Sequence, residues 1–223
     1  MATFVLVHGA WHGAWCWYKV MPLLEQAGHT AIAPDLPGHG ANHRDNIEQI
    51  TLRDYADCIT GILDRLAEPA ILVGHSMGGM VISQAAEYRP GKIRKLVYLT
   101  AIMRKTAQPP RGRPMFDPRT TPLAEMKELF YGDCADEDVR LAAALLVPQP
   151  PQPLRDPLDL TEENWGRLPR VFIECRRDKV LLPERQKELC TETPCEKVLS
   201  LETSHSPFFS QPEALARHLL SLC

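Results

Sequence analysis

Short apolar runs alternate along this chain with segments whose apolar residues recur at helical spacing. The runs predict six strands, and most of the segments between them predict helices. The predicted strands cover residues 3–7, 30–33, 70–73, 95–100, 170–175 and 197–201. Strands that alternate with helices are typical of a parallel sheet covered by helices on both faces. We therefore expect an α/β fold with a doubly wound, mostly parallel sheet.

Several helix ends are marked by polar residues. Thr51 and Asp54 form a capping-box-like start before a helical apolar pattern that runs to residue 66. Ser210 and Glu213 form a similar start, which predicts the last helix of the chain. Gly28 closes an earlier helical pattern and is typical of a helix end.

The alternation stops between residues 103 and 168. Ten of the chain's 20 prolines fall there, and only two helix-like pieces can be found, at residues 122–131 and 136–146. Because this stretch follows a strand end, we expect it to lie over the edge of the sheet where active sites collect. We therefore predict an α/β core at residues 1–102 and 169–223 and a small cap insertion, the cap segment, at residues 103–168.

Composition and charge exclude several classes of function. The 223 residues suit one large domain, and a net charge of −3 argues against a nucleic-acid partner, which normally needs a basic face. The chain enters its first strand pattern without a leader and has no apolar run that could span a bilayer, so we expect no membrane contact and a cytoplasmic location. Seven scattered cysteines lack metal-ligand spacing and indicate reduced thiols and no metal.

The pentapeptide GHSMG at residues 74–78 places Ser76 where a predicted strand becomes a predicted helix. Such a junction forces a strained turn that exposes the serine hydroxyl, and Gly74 and Gly78 leave room for it. The pattern predicts a nucleophile at Ser76.

A serine hydroxyl needs a base to take its proton and an acid to orient that base. Asp178 and His205 each lie just past the end of a predicted strand, on the rim that also holds Ser76. We therefore predict that His205 is the base and Asp178 the acid. Rival acids fit this geometry less well because they lie inside a strand or in the cap segment: Glu174, Asp159, Glu162 and Glu163.

The oxyanion of a tetrahedral intermediate needs backbone N–H donors. The first loop, which we define as residues 8–13, directly follows the first predicted strand. By position, one donor should be the amide of Ala10 and the other the amide of Met77, the residue after the predicted nucleophile.

Four stretches together resemble the α/β-hydrolase superfamily: VLVHGAWHGAWCWY at residues 5–18, GHSMGG at 74–79, RDK at 177–179 and SHSPFF at 204–209. Within it, the chain resembles the branch of plant methylesterases, hydroxynitrile lyases and bacterial carboxylesterases of the pyrethroid-hydrolase type. This resemblance implies the same roles for Ser76, Asp178, His205 and the amides of Ala10 and Met77, and it implies no cofactor. The lyases have Thr and Lys where this chain has Gly9 and Ser206, which favours an esterase with room for an ester carbonyl at Gly9.

We therefore expect a serine hydrolase that cleaves small and medium carboxylic esters through an acyl-enzyme, with a small-molecule ester as its partner. Three other activities stay open, namely thioesterase, lactonase and carbon–carbon bond hydrolase, and so does a slow-turnover ligand sensor. The oligomeric state, monomer or homodimer, also stays open. We expect an apolar pocket that is lined, besides Gly9, by Trp11, Met103, Met115, Phe116, Leu123, Phe130 and Trp165.

Overall fold

A six-stranded parallel sheet forms the centre of the protein, whose computed structural model describes residues 1–103 and 116–223. The strands β1 to β6 are Thr3–Val7, Thr30–Ile32, Ala70–His75, Ile93–Leu99, Arg170–Cys175 and Lys197–Leu201. They pair in the order β2-β1-β3-β4-β5-β6, and every pairing is parallel. The predicted fold class is therefore confirmed.

Helices lie between the strands and in the cap segment. The helices α1 to α8 are Val20–Gln26, Leu52–Leu63, Gly78–Tyr88, Leu123–Phe130, Asp136–Leu145, Pro183–Glu192, Pro207–Ser210 and Pro212–Leu220. The capping box of α2 forms as predicted: Thr51 accepts a hydrogen bond from the Asp54 amide, and the Asp54 carboxylate accepts one from the Thr51 amide. Within the described ranges, no helix is long and apolar enough to cross a membrane.

Both faces of the sheet are covered, which explains why its strands read as continuous apolar runs. In β1, Val5 and Val7 pack into the core cluster that contains α2 and α3 residues. Phe4 and Leu6 point to the opposite face and pack into the cluster with α1 and α8. Alternate residues of one strand therefore belong to different cores.

Four strand ends differ from the predicted ones: β2 and β4 each end one residue earlier, β3 ends two residues later, and β4 begins two residues earlier. The sheet pairing of β3 continues through Gly74 and His75, which lie opposite Tyr98 and Leu99. β4 begins at Ile93, and its pairing with β3 shifts register between Ala70 and Ile71. β3 thus extends to the residue immediately before Ser76.

The predicted start of the last helix at Ser210 is wrong. Residues Pro207–Ser210 form a separate short helix, and Gln211 precedes Pro212, the first residue of α8, with φ −140° and ψ 56°. Proline disfavours helical backbone at the residue before it, so the two helices cannot merge at Gln211.

The cap segment packs against both faces of the sheet. Met126, Phe130 and Val139 of α4 and α5 join the cluster with α1 and α8, while Leu158 and Trp165 join the cluster with α2 and α3. The described part of the segment therefore spans the sheet edge at which the strands end.

Candidate active site

Ser76 lies on a sharp turn between β3 and α3. Its φ is 52°, in the left-handed region that non-glycine residues rarely adopt. A Cβ atom on Gly74 would lie 2.5 Å from the Gly78 carbonyl oxygen, and one on Gly78 would lie 2.7 Å from the Val7 carbonyl oxygen. Both glycines are therefore required by the close approach of backbones around the serine.

Asp178 and His205 form a buried pair. The Nδ1 atom of His205 lies 2.6 Å from Asp178 Oδ2, while Asp178 Oδ1 accepts hydrogen bonds from the amides of Val180 and Leu181 at 2.7 and 3.0 Å. Burial acts to raise the pKa of Asp178, but the charge and hydrogen bond of His205 and the bonds from Thr100 and Val180 outweigh it and lower the pKa below its ordinary value. The ionised carboxylate accepts a hydrogen bond from Nδ1 of His205, which leaves Nε2 as the ring nitrogen that can exchange a proton with the serine.

His75 connects this pair to the serine. Its Nε2 donates a hydrogen bond to the His205 carbonyl oxygen at 2.8 Å, and the two rings lie 4.7 Å apart. Burial, together with His205 and His12, lowers the pKa of His75 well below its ordinary value, so the ring is neutral. A Cβ on Gly9 would meet His75 Nδ1 at 2.8 Å and Ser76 Cβ at 3.1 Å. The structure thus places Gly9 beside Ser76, and it places His75, the residue before Ser76, beside His205.

Thr100 contributes a contact that sequence reasoning missed. Its hydroxyl donates to Asp178 Oδ2 at 2.5 Å, although its φ of 38° is unfavourable for a β-branched residue. The Thr100 amide donates to the Ile173 carbonyl oxygen at 2.8 Å, which helps to hold this conformation. A signal was available, because Thr100 is the last residue of the predicted strand 95–100 and that strand lies beside the one before Asp178.

The amides of Ala10 and Met77, the two predicted oxyanion donors, donate to no protein acceptor among residues 1–103 and 116–223. In the first loop, the Gly9 carbonyl accepts from His8 Nδ1 at 2.8 Å and the Ala10 carbonyl accepts from His12 Nδ1 at 2.8 Å. The C=O and N–H groups of a trans peptide point in opposite directions. Anchoring the Gly9 carbonyl therefore directs the Ala10 N–H the opposite way.

Three buried histidines share this bonding pattern around the first loop. Each donates from Nδ1 to a loop carbonyl, with His39 bonding to the His12 carbonyl at 2.7 Å. At Nε2, His8 accepts a hydrogen bond from the Leu36 amide, His12 accepts one from the Tyr131 hydroxyl, and His39 accepts one from the Tyr55 hydroxyl. Burial lowers the pKa of His8 well below its ordinary value and lowers the pKa of His12 and of His39 to about 4. The first loop is thus held by neutral rings.

These histidines should make the folded state sensitive to acid. Between about pH 6.5 and pH 4 the unfolded chain binds a proton at His39 that the folded chain does not, so stability falls as the pH is lowered through this window. The contribution of one such ring is about 1.4 kcal/mol per pH unit. We expect His39→Gln to flatten the dependence of the unfolding free energy on pH by about this amount, measured by urea unfolding from pH 7 to pH 4.5.

The exposed residue His43 offers the matched control, and His43→Gln should leave the slope unchanged. Equal slopes in the wild type and His39→Gln would contradict the assignment of a neutral buried ring to His39.

Three of the predicted pocket residues form an aromatic group beside the base. The rings of Trp11 and Phe116 lie 5.0 Å apart, those of Phe116 and Phe130 lie 4.9 Å apart, and the Phe130 ring lies 5.9 Å from His205. A cavity of about 240 Å³ opens beside Trp11 and Phe116 and is also lined by Gln149. Apolar surface is therefore available close to the predicted triad.

Two other predicted pocket residues lie in the core instead. Met103 and Trp165 are 0% and 1% exposed, and the Trp165 indole N–H donates to the Tyr98 hydroxyl at 2.9 Å. Neither side chain has exposed surface among the described residues, and their role as pocket walls stays a prediction. Leu123, at the start of α4, is 46% exposed, and its substrate contact stays a prediction; Met115 lies outside the described residues.

Within the described ranges, no group of three His, Cys, Asp or Glu side chains is placed to hold a metal ion. The seven cysteines are all free thiols.

Comparisons of the sequence and of the structure with known proteins point to one family. Residues 4–218 match the model of the Alpha/beta hydrolase family. Methylesterase 1 of Arabidopsis thaliana is 35% identical over 249 aligned residues, which cover 98% of this chain and 95% of that protein. The crystal structure of an Arabidopsis methylesterase has a TM-score of 0.88 at 32% identity, and the match covers 100% of this chain and 98% of the methylesterase chain.

A pyrethroid hydrolase from Sphingobium faniae has a TM-score of 0.87 at 30% identity, and the match covers 99% of this chain and 96% of that one. The plant and bacterial matches confirm the resemblance inferred from the four sequence stretches.

Proposed function

Because this chain belongs to the α/β hydrolase family, we propose that it is a serine carboxylesterase that cleaves small and medium carboxylic esters through an acyl-enzyme. The observation that carries the proposal is the buried Asp178–His205 pair at 2.6 Å, whose histidine ring lies 4.7 Å from the ring of His75, the residue before a serine held in a left-handed turn. This arrangement supplies a nucleophile, a base and an orienting acid without another group.

In the acylation step, Ser76 Oγ attacks the ester carbonyl carbon while His205 Nε2 takes the hydroxyl proton. The carbonyl oxygen becomes an oxyanion, which the amides of Ala10 and Met77 stabilise. His205 then gives its proton to the leaving alcohol as the carbon–oxygen bond breaks. The products of this step are the alcohol and an ester of Ser76.

Deacylation repeats these proton transfers with water as the nucleophile. His205 takes a proton from water, the hydroxide adds to the acyl carbon, and the proton passes to Ser76 Oγ as the acyl bond breaks. The carboxylic acid leaves and Ser76 is regenerated. Asp178 keeps its charge throughout and stabilises the imidazolium of His205 at both stages.

The surroundings of Ser76 favour particular substrates. Gly9 brings its backbone beside Ser76 and leaves space for the carbonyl group, while Trp11 and Phe116 provide apolar surface and pack against the buried Phe130. Relatives named as methylesterases support esters of a small alcohol. We therefore propose methyl esters of apolar carboxylic acids as the first substrate class to test.

The proposal is tested with the purified full chain. We expect hydrolysis of p-nitrophenyl acetate and of methyl esters of aryl and alkyl acids, and labelling by a fluorophosphonate at one site, identified as Ser76 by peptide mass spectrometry. Ethyl and benzyl esters of the same acids measure the size of the alcohol site. Thioesters and lactones in the same panel show whether the protein prefers thioesterase or lactonase activity to ester cleavage.

Labelling at Ser76 with a burst of one product equivalent and no further turnover would favour a slow sensor over an esterase. Steady hydrolysis without labelling at Ser76 would contradict the serine mechanism itself.

A further inference from the structure

We propose that Gln149, in the cap segment, is a positioning residue that holds the first loop so that the Ala10 amide faces the reacting carbonyl. The inference rests on the proposed esterase function, in which this amide stabilises the oxyanion. It assigns to the cap segment a part in catalysis besides enclosing the substrate.

The side chain of Gln149 is 7% exposed and uses both ends of its amide. Its Oε1 accepts a hydrogen bond from the Trp11 amide at 3.1 Å. Its Nε2 donates to the Tyr55 hydroxyl at 3.2 Å and to the Pro150 carbonyl oxygen at 3.0 Å. A buried amide that satisfies several partners at once has one preferred orientation.

A second route connects Gln149 to the same loop. The Tyr55 hydroxyl lies 2.9 Å from His39 Nε2, and His39 Nδ1 lies 2.7 Å from the His12 carbonyl oxygen. Because His39 is neutral and donates from Nδ1, Tyr55 donates to Nε2 and accepts from Gln149. Gln149 therefore contacts the loop directly at residue 11 and acts through Tyr55 and His39 at residue 12.

The backbone at Trp11 needs this support. Its φ is 64°, an unfavourable value for a bulky residue. The peptide between Ala10 and Trp11 is held at both ends, by His12 on the carbonyl and by Gln149 on the N–H. The Val147 amide, also in the cap segment, donates to the Trp11 carbonyl at 3.0 Å. Without Gln149, the backbone at Trp11 can relax from its unfavourable φ. This relaxation would rotate the peptide between Ala10 and Trp11, which adjoins the Ala10 amide.

The test replaces Gln149 with methionine, which keeps the length of the side chain and removes its hydrogen bonds. We expect kcat for p-nitrophenyl acetate to fall about 10-fold or more with KM changed by less than about 2-fold, because an oxyanion donor acts mainly in the transition state. The inhibition constant of a trifluoromethyl ketone, whose adduct with Ser76 carries an oxyanion, should rise by a similar factor.

Gln84→Met is the matched control. Gln84 is also a buried glutamine that connects α3 to the cap segment, through the amide and carbonyl of Asp159 at 3.2 and 3.4 Å. It should lower the melting temperature without the loss in kcat. Equal losses of kcat in the two variants, or a kcat of Gln149→Met within 2-fold of wild type, would overturn the proposal.

A double-variant cycle tests the route through Trp11. Glycine adopts φ 64° without strain, so the loss caused by Gln149→Met should be smaller when it is made in Trp11→Gly. The same loss in both backgrounds would contradict this route. If Gln149→Met does not fold, Gln149→Asn, which draws the amide back by one methylene, takes its place.

The failure of this inference and the failure of the proposed function can be told apart. If Ser76→Ala abolishes hydrolysis while Gln149→Met has no effect, only the positioning role is wrong. If Ser76→Ala keeps full turnover, the esterase mechanism is wrong whatever Gln149 does.

Discussion

Ser76→Ala is expected to lower kcat/KM for p-nitrophenyl acetate by about 10⁴- to 10⁶-fold, the range in which loss of a serine nucleophile falls in comparable enzymes. The alanine removes the atom that forms the acyl bond, while β3, α3 and the turn between them keep their packing. The residual rate comes from water attack on an ester that the amides of Ala10 and Met77 still polarise. A stopped assay with product quantified over hours provides the necessary range.

Ser83→Ala is a suitable control for this substitution. Ser83 is buried in α3 and its hydroxyl contacts the Gly79 carbonyl and the Tyr98 hydroxyl, both at 2.7 Å. This variant loses a serine hydroxyl and some stability, but it should retain the activity. Full hydrolysis by Ser76→Ala, with the wild-type melting temperature, would show that another group attacks the ester.

Asp178→Asn is expected to lower kcat by about 10³- to 10⁴-fold while the fold is maintained. Asparagine can donate to His205 Nδ1, which favours the ring tautomer with its proton on Nε2, where it can no longer accept the proton of Ser76. Asparagine also lacks the negative charge that stabilises the imidazolium. The measurement is single-substrate kinetics together with ¹⁵N chemical shifts of the histidine ring, which report the tautomer directly.

Two companion variants sharpen this result. Thr100→Val keeps the carboxylate and removes only the hydroxyl that donates to Asp178 Oδ2, so its loss should be about 10-fold. Glu174→Gln changes a rival acid that pairs with Arg176 and Ser200, and it should keep full activity. A larger loss of kcat in Glu174→Gln than in Asp178→Asn would indicate that Glu174, in β5, is the acid.

The strands and the predicted triad could be read from the sequence because their signals are local. Ser76 is marked by its flanking glycines, and Asp178 and His205 each follow a short run of mainly apolar residues that predicts a strand. In a parallel sheet all such residues meet at one edge, so the spatial arrangement follows from the order of the elements.

The supporting contacts could not be read in this way. Gln149 lies 138 residues from Trp11 along the chain, in a proline-rich stretch without any periodic pattern, so nothing local pairs the two. The burial of Trp165 in the core could not be predicted for a related reason. An aromatic residue in an irregular segment has no neighbours at regular spacing that would tell whether it faces the core or a ligand.

The packing of the cap segment on both faces of the sheet has a consequence for cooperativity. Detaching α4 and α5 would expose Phe130 and Val139, and detaching the later part of the segment would expose Trp165, so separation of the whole segment from the sheet uncovers both cores. We therefore expect the described part of the cap segment, residues 116–168, to melt together with the sheet and not before it. Heat inactivation and global unfolding are then one event, because the contacts that orient the Ala10 amide disappear with the last of the folded core.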